Sequence, residues 1–230
     1  LSWLLAIALL TVSWGAVLWR MRQAGPYLQR SELFGLLALL MVAGALRSVA
    51  LERIPANLGG DEGTQLVEAL SLVSPPLGNP FATGWYSVPT MSFLLYGYGM
   101  RIFGASIAGG RALSALAGTA TVLSTFLLAR LMLGREAGWI AAILVTGFAY
   151  SIHFSRLASN QVFDALVGSL TFWLLLLGEQ KARALRRHND TGLGKRVRAA
   201  SWGLAGIVLA LGWYGYFGAR WVTGLVALYL

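Results

Sequence analysis

Two adjacent carboxylates, Asp61 and Glu62, stand in the stretch Asn57-Leu58-Gly59-Gly60-Asp61-Glu62-Gly63, directly after an apolar run. The chain holds only nine acidic residues in 230, which singles this pair out. At the mouth of a membrane helix a carboxylate stays ionised only in water or beside a cation, and it is a functional candidate by default. Held near a hydroxyl, it can take that hydroxyl's proton as a general base. Asp61 equally suits the capping of the helix that follows. Glu68, seven residues on, falls about two turns along the same helical face, where it either lines a site or meets water.

A second group is His153, Arg156, Asn160 and Asp164. Arg156, Asn160 and Asp164 recur every four residues, so a helix would stack them on one face. The guanidinium of Arg156 suits a substrate phosphate, which it can bind bidentately. It suits a lipid phosphate as well, with Asp164 offsetting the charge. Asp164 sits a turn inside an apolar segment, where a carboxylate needs a partner. A third group, Trp213-Tyr214-Gly215-Tyr216 followed by Arg220-Trp221, reads as an interfacial belt or, through Arg220, as a second phosphate contact. Trp85-Tyr86 with Pro89 either stacks on a sugar or anchors its loop.

The elements that must position these residues are apolar helices. The chain is 57% hydrophobic and 12% charged, with mean hydropathy +0.66, whereas a soluble domain has about 25% charged residues. An all-α, polytopic transmembrane helix bundle is the expected fold. Spans of about 20 apolar residues are expected at 1–19, 33–51, 112–132, 137–153, 160–178 and 201–219, with a further run from Trp221 onward. Residues 1–19 do not read as a signal peptide, because the run is long and its positive charges follow it. The chain opens at Leu1 and stops at Leu230 within an apolar run, and is expected to be the N-terminal part of a longer protein.

The net charge of +9 does not point to nucleic acid, because the basic residues are split among loops between spans. Arg20, Arg22 and Arg30 follow the first span, and seven basic residues occupy 179–200. The positive-inside rule places both loops in the cytoplasm. That requires residues 87–103 not to cross, and predicts a re-entrant or amphipathic helix there, within an outer loop 52–111 carrying juxtamembrane helices. The polar stretch 179–200 is expected to be a loop broken at Gly192 and Gly194. Absence of Cys and a total of two His exclude thiolate chemistry and argue against a zinc site.

Taken in order, several pieces resemble the GT-C membrane glycosyltransferases of the protein O-mannosyltransferase and aminoarabinose transferase type. These are Gly60-Asp61-Glu62, Gly84-Trp85-Tyr86 with Pro89, Phe103-Gly104-Ala105-Ser106 leading to Arg111, and Leu131-Met132-Leu133-Gly134-Arg135 with Gly138. His153-Phe154-Ser155-Arg156 with Asn160 and Asp164 follows, and then Tyr214 and Tyr216 before Arg220. The resemblance implies a GT-C fold and transfer of a sugar from a polyprenyl-phosphate donor to a hydroxyl of a protein or lipid acceptor. The active site would face the outside of a bacterial inner membrane. It carries the catalytic acid over to Asp61, with Glu62 beside it, and a second acid to Asp164, although many relatives place an Asp nearer Asn160. His153, Arg156, Asn160 and Arg220 become donor contacts, and Trp85 and Tyr86 a substrate loop. No obligatory metal is implied, though some relatives use a divalent ion. A non-catalytic subunit of a membrane complex and a transporter are the other classes this composition allows.

Overall fold

The computed structural model describes residues 30–187 and 190–230. The expected span 1–19, with Arg20 and Arg22, lies outside the described residues. Among those described, the chain is helical, and its only sheet-like pairing is an isolated bridge between Thr83 and Pro89. The helices are α1 (Arg30–Ser48), α2 (Gly60–Val73), α3 (Thr90–Phe103), α4 (Ile107–Leu133), α5 (Arg135–Gly147), α6 (Ala149–Ser155), α7 (Val162–Arg187), α8 (Thr191–Trp213) and α9 (Gly218–Tyr229), with a 3-10 turn at Trp85–Ser87. Three of them, α1, α4 and α7, are long and apolar enough to cross a membrane, and α5 with α6 makes a fourth if the bent pair is one span. The molecule is a helical membrane bundle.

Apolar seams hold it together. Leu36 and Ala43 of α1 pack with Val122 and Phe126 of α4 and Ala142 of α5, while Leu174 and Leu175 of α7 face Ala205 of α8. A separate cluster of Leu66, Ala69, Phe93, Tyr96 and Met100 joins α2 to α3 and includes Ala158. α3 has 14 residues, about 21 Å of helix, which is short of the roughly 30 Å of a bilayer core. The stretch leaving α1 and the start of α4 are tied together by Arg111, which donates to the carbonyls of Leu51 at 2.8 Å and Pro55 at 3.0 Å. The excursion 49–106 therefore begins and ends at one end of the bundle.

Three boundaries depart from the expected ones. The predicted span 137–153 is broken between α5 and α6, which meet at a 61° bend. Arg47 makes the break possible, donating to the carbonyls of Val145 at 3.0 Å and Thr146 at 3.4 Å where the helix leaves them without partners. The predicted span 201–219 ends at Trp213, with a turn at 214–217 and a new helix from Gly218. The predicted loop 179–200 is mostly helix. α7 runs to Arg187, and Asp190 caps α8 by accepting from the Leu193 N–H at 2.9 Å. Gly192 and Gly194 lie in that first turn and do not interrupt it. Gly194 allows close packing, since a Cβ there would stand 3.1 Å from the Ala182 carbonyl oxygen of α7.

Two glycines carry particular weight. Gly134 joins α4 to α5 at φ 98° and ψ −179°, a region nearly confined to glycine. Gly97 sits where α3 crosses α2, and a Cβ there would lie 2.3 Å from the Ala69 carbonyl oxygen and 2.6 Å from Val73 Cγ1. The first obstacle is backbone, so relief requires the helices to part. Gly97→Ala is expected to destabilise the folded chain by about 1–3 kcal/mol, the usual range for overpacking. The unfolding midpoint in detergent measures it, and an unchanged midpoint would show that this crossing is not tight.

Candidate active site

The site is built on the first turn of α2. Gly59 is the N-cap, and no side chain caps the helix, so Asp61 is not the capping residue that its position suggests. Asp61 and Glu62 occupy the first turn instead, where a negative charge suits the helix dipole. Successive helical residues point about 100° apart. One carboxylate can thus face the protein while its neighbour faces a cavity, and the two residues are divided in this way.

Glu62 faces the protein. It is 6% exposed and binds Arg111, itself 1% exposed, through two parallel bonds: Nε to Oε1 at 2.7 Å and Nη2 to Oε2 at 2.8 Å. Oε1 also accepts from the Ala158 N–H at 2.8 Å. The other guanidinium hydrogens of Arg111 go to the carbonyls of Leu51, Pro55 and, at 3.4 Å, Asn57. A buried ion pair repays desolvation only when its remaining donors and acceptors are satisfied, and here they are.

Glu62 also explains why Arg156, Asn160 and Asp164 do not share one helix, as their spacing predicts. α6 ends at Ser155, and α7 starts at Val162. Between them the Ala158 N–H meets a carboxylate instead of a carbonyl of its own turn. Asn160 Oδ1 accepts from Gln65 Nε2 of α2 at 2.8 Å. The non-helical segment 156–161 is thereby fastened to α2 at two points. Tyr96 adds a third tie, donating to the Ser159 carbonyl at 2.9 Å and sharing a 2.6 Å bond with Ser114. Burial pushes the Tyr96 phenol well above its ordinary pKa, so it stays neutral.

A cavity of about 440 Å³ lies over this arrangement. Asp61 is exposed and lines it, with no hydrogen-bond or ion-pair partner among the described residues. Glu62, Asn160, Trp85 and Tyr86 line it too, together with Gln161, Tyr216 and Phe217. Gln161 Nε2 donates to the Tyr216 hydroxyl at 3.2 Å, bridging the mouth from α7's entry to the 214–217 turn. Tyr86 is 81% exposed and, like Ser87, has positive φ, 55° and 60°. A second cavity, of about 540 Å³, lies on the other side of this turn, between Phe81, Ser87, Leu209, Trp213, Tyr214 and Arg220.

The other sequence candidates are placed elsewhere. Arg156 does not line either cavity. It donates to the carbonyls of Leu46 at 2.8 Å, Val49 at 2.5 Å and Ile54 at 3.1 Å, tying the end of α1 to the segment beyond it. Burial, and then the charge of Arg111, lower its pKa. His153 is exposed and lies edge-on to Phe154, with ring centres 5.5 Å apart. Asp164 accepts from the Ala219 N–H at the start of α9, and its Oδ1 is buried with no hydrogen-bond partner. A Cβ on Gly218 would come 1.9 Å from Asp164 Oδ2. Arg220 lines the second cavity and stacks over Phe217 at 4.7 Å and Trp213 at 5.5 Å. No group of three or more His, Asp or Glu is placed to hold a metal among the described residues.

Sequence reasoning did not assign roles to Arg111, Gln65, Gln161 or Tyr96. Arg111 left a signal, because an arginine at the start of a long apolar helix needs a carboxylate and few were on offer. Nothing in the sequence marked Glu62, 49 residues earlier, as its partner. Glu62→Gln is expected to cost about 3–5 kcal/mol, the usual effect of leaving a buried charge unpaired. Replacing both partners at once, Glu62→Gln with Arg111→Met, should recover part of that. Unfolding midpoints of the three variants in detergent test this, and a Glu62→Gln variant as stable as the parent would remove the pair from its structural role.

Residues 87–188, from the turn through α3–α7, match the sequence model of the family described as dolichyl-phosphate-mannose-protein mannosyltransferase. The matched stretch contains Arg111 and the segment 153–164 but not Asp61, Glu62 or Arg220. No curated protein and no solved structure matches the chain. On a helical membrane bundle with a carboxylate-lined cavity at one end, the chain is thus similar over residues 87–188 to the protein mannosyltransferase family of membrane glycosyltransferases.

Proposed function

We propose that this chain carries the sugar-transferring site of a membrane glycosyltransferase whose donor is a polyprenyl-phosphate-linked sugar and whose acceptor is a hydroxyl. The acceptor oxygen forms a bond to the anomeric carbon. The bond from that carbon to the phosphate oxygen breaks, the lipid phosphate leaves with its electron pair, and the hydroxyl proton passes to a base. A phosphate is a good leaving group, so the demanding tasks are deprotonation and stabilisation of phosphate charge.

The observation that carries this reading is the unequal treatment of the two adjacent carboxylates. Glu62 is buried on Arg111, whereas Asp61 stands unpartnered in the cavity. Asp61 is therefore the base and Glu62 holds its helix turn in place. Arg220, in the second cavity, is the phosphate contact, and the apolar wall of Leu209 and Trp213 lies where a prenyl chain would continue. Trp85 and Tyr86 stand between the two cavities and offer faces for the sugar. Arg156 and Asp164 serve by position: one fixes the turn after α1, the other the start of α9. Asn160 orients Gln65 at the cavity wall, and His153, which lines neither cavity, has no part in the proposed site.

The charge pattern supports a site facing away from the cytoplasm, the orientation proposed here for a bacterial inner membrane. Arg130 and Arg135, which bind Glu32, lie at the end of α4 away from Arg111. The basic residues around the α7–α8 turn lie at the end of α7 away from Asp164. Cations thus gather opposite the site, as cytoplasmic loops do.

Loss of a general base slows a reaction by about 100- to 10,000-fold. Asp61→Asn is expected to reduce turnover by that much in proteoliposomes supplied with a polyprenyl-phosphate-sugar, with the unfolding midpoint unchanged. Arg220→Gln should raise the donor KM more than it lowers kcat. Parent-like turnover by Asp61→Asn would refute the assignment of the base.

A further inference from the structure

A third cavity, of about 270 Å³, opens at the bend between α5 and α6. Its walls come from α4, the bent pair and the start of α7, including Thr121, Thr125, Phe148 and Ala165. Phe154 and Gln161 line both this slot and the Asp61 cavity, so the two spaces share a wall of two side chains. Three of the slot's five hydroxyls, those of Thr121, Ser151 and Ser155, are engaged with the protein, and those of Thr125 and Tyr150 remain. Thr121 donates to the Ala117 carbonyl at 2.9 Å, Ser155 donates to the Ser151 carbonyl at 2.6 Å, and Ser151 Oγ accepts from Arg47. The surface left to an occupant is mostly apolar, from Val145, Phe148, Phe154, Val162 and Ala165. Phe148 and Tyr150, at the bend, are exposed on the outside of the bundle, which gives a chain from the bilayer a way in.

Charge decides which chain. No Lys or Arg lines the slot or the Asp61 cavity among the described residues. Arg47 stands behind the slot wall, fully buried, with both terminal nitrogens on protein acceptors. An anionic lipid head has nothing to bind here, and Asp61 repels it. The cation suited to a phosphate is Arg220, in the other cavity.

We propose that the slot holds the apolar chain of the acceptor, which is a neutral hydroxyl-bearing lipid whose head passes between Phe154 and Gln161 to Asp61. The inference rests on the reading of the Asp61 cavity as the transfer site, and it narrows the acceptor to a lipid.

The test uses the full chain in detergent with two probes, a photoreactive hexadecanol and a polyprenyl phosphate. Irradiation of the parent protein should label Thr125 or Ala165 with the alcohol. Ala165→Trp, which fills the slot, should weaken alcohol binding at least about tenfold, equivalent to about 1.4 kcal/mol, and leave polyprenyl phosphate binding within about twofold. Arg220→Gln should do the reverse. Labelling confined to the second cavity, or a slot variant that loses polyprenyl phosphate and keeps the alcohol, would overturn the proposal. Absence of sugar transfer would sink the reading of the Asp61 cavity and the acceptor role with it, whereas sugar transfer by a protein whose slot takes no label would overturn this inference alone.

Discussion

The interaction on which the site depends is the buried pair of Glu62 and Arg111. It joins three stretches remote in sequence: the first turn of α2, the N-terminal part of α4, and the segment 156–161 reached through the Ala158 N–H. Desolvating two charges is expensive, and the pair is tolerable because each of its members is fully engaged. Two of the carboxylate's contacts are charge-assisted bonds to one fork, and the rest of the fork reaches carbonyls of the turn that follows α1. The same contacts that make the pair affordable fix the wall on which Asp61 stands.

A common device extends this to the rest of the upper bundle. Arg47, Arg111 and Arg156 are all buried, and all three donate to backbone carbonyls where helices stop. Irregular backbone survives at membrane depth only where protein or water satisfies it. Arg156 does this at the end of α1, Arg47 at the end of α5, and Arg111 along residues 51–57. A guanidinium is suited to the task, because its planar fork reaches several carbonyls at once and keeps its charge at any ordinary pH. The broken span between α5 and α6, and with it the apolar slot, exists because Arg47 supplies the partners that the bend removes.

The legible part of this architecture was set by local patterns. Apolar length marked α1, α4 and α7, and the capping position at Asp61 marked a helix following it, which is α2. Asp61 stood out because carboxylates are scarce. What could not be read depended on contacts across the fold. The apolar run through residues 137–153 carries only Thr146-Gly147 at the bend, a weak local mark, and Arg47, which supplies the partners there, lies about a hundred residues earlier. The four-residue spacing of Arg156, Asn160 and Asp164 suggested a helix because the competing partners, Glu62 and Gln65, lie in another element. Polarity made 179–200 look like a loop, yet Ala182, Gly194 and Val197 carry a buried seam through it. Polar residues there face outward from a helical hairpin.

Removing the engaged charges leaves a simple arrangement at this end of the molecule. Of the charged groups that line the first two cavities, Glu62 is neutralised by Arg111. Asp61 and Arg220 are the others, one on each side of the turn at Trp85–Ser87. Under the proposed function their separation has a physical consequence. Were they in contact, each would weaken the other's hold on a substrate: the carboxylate would mask the cation from a phosphate, and the cation would make the carboxylate a poorer base. The aromatic turn, with its two positive-φ residues, keeps an acid-free cavity beside a cation-free one. Arg220 is held by ring faces instead of a carboxylate, which steadies the guanidinium without neutralising it. A reaction in which a proton leaves at one point and an anion departs at another needs that division of charge.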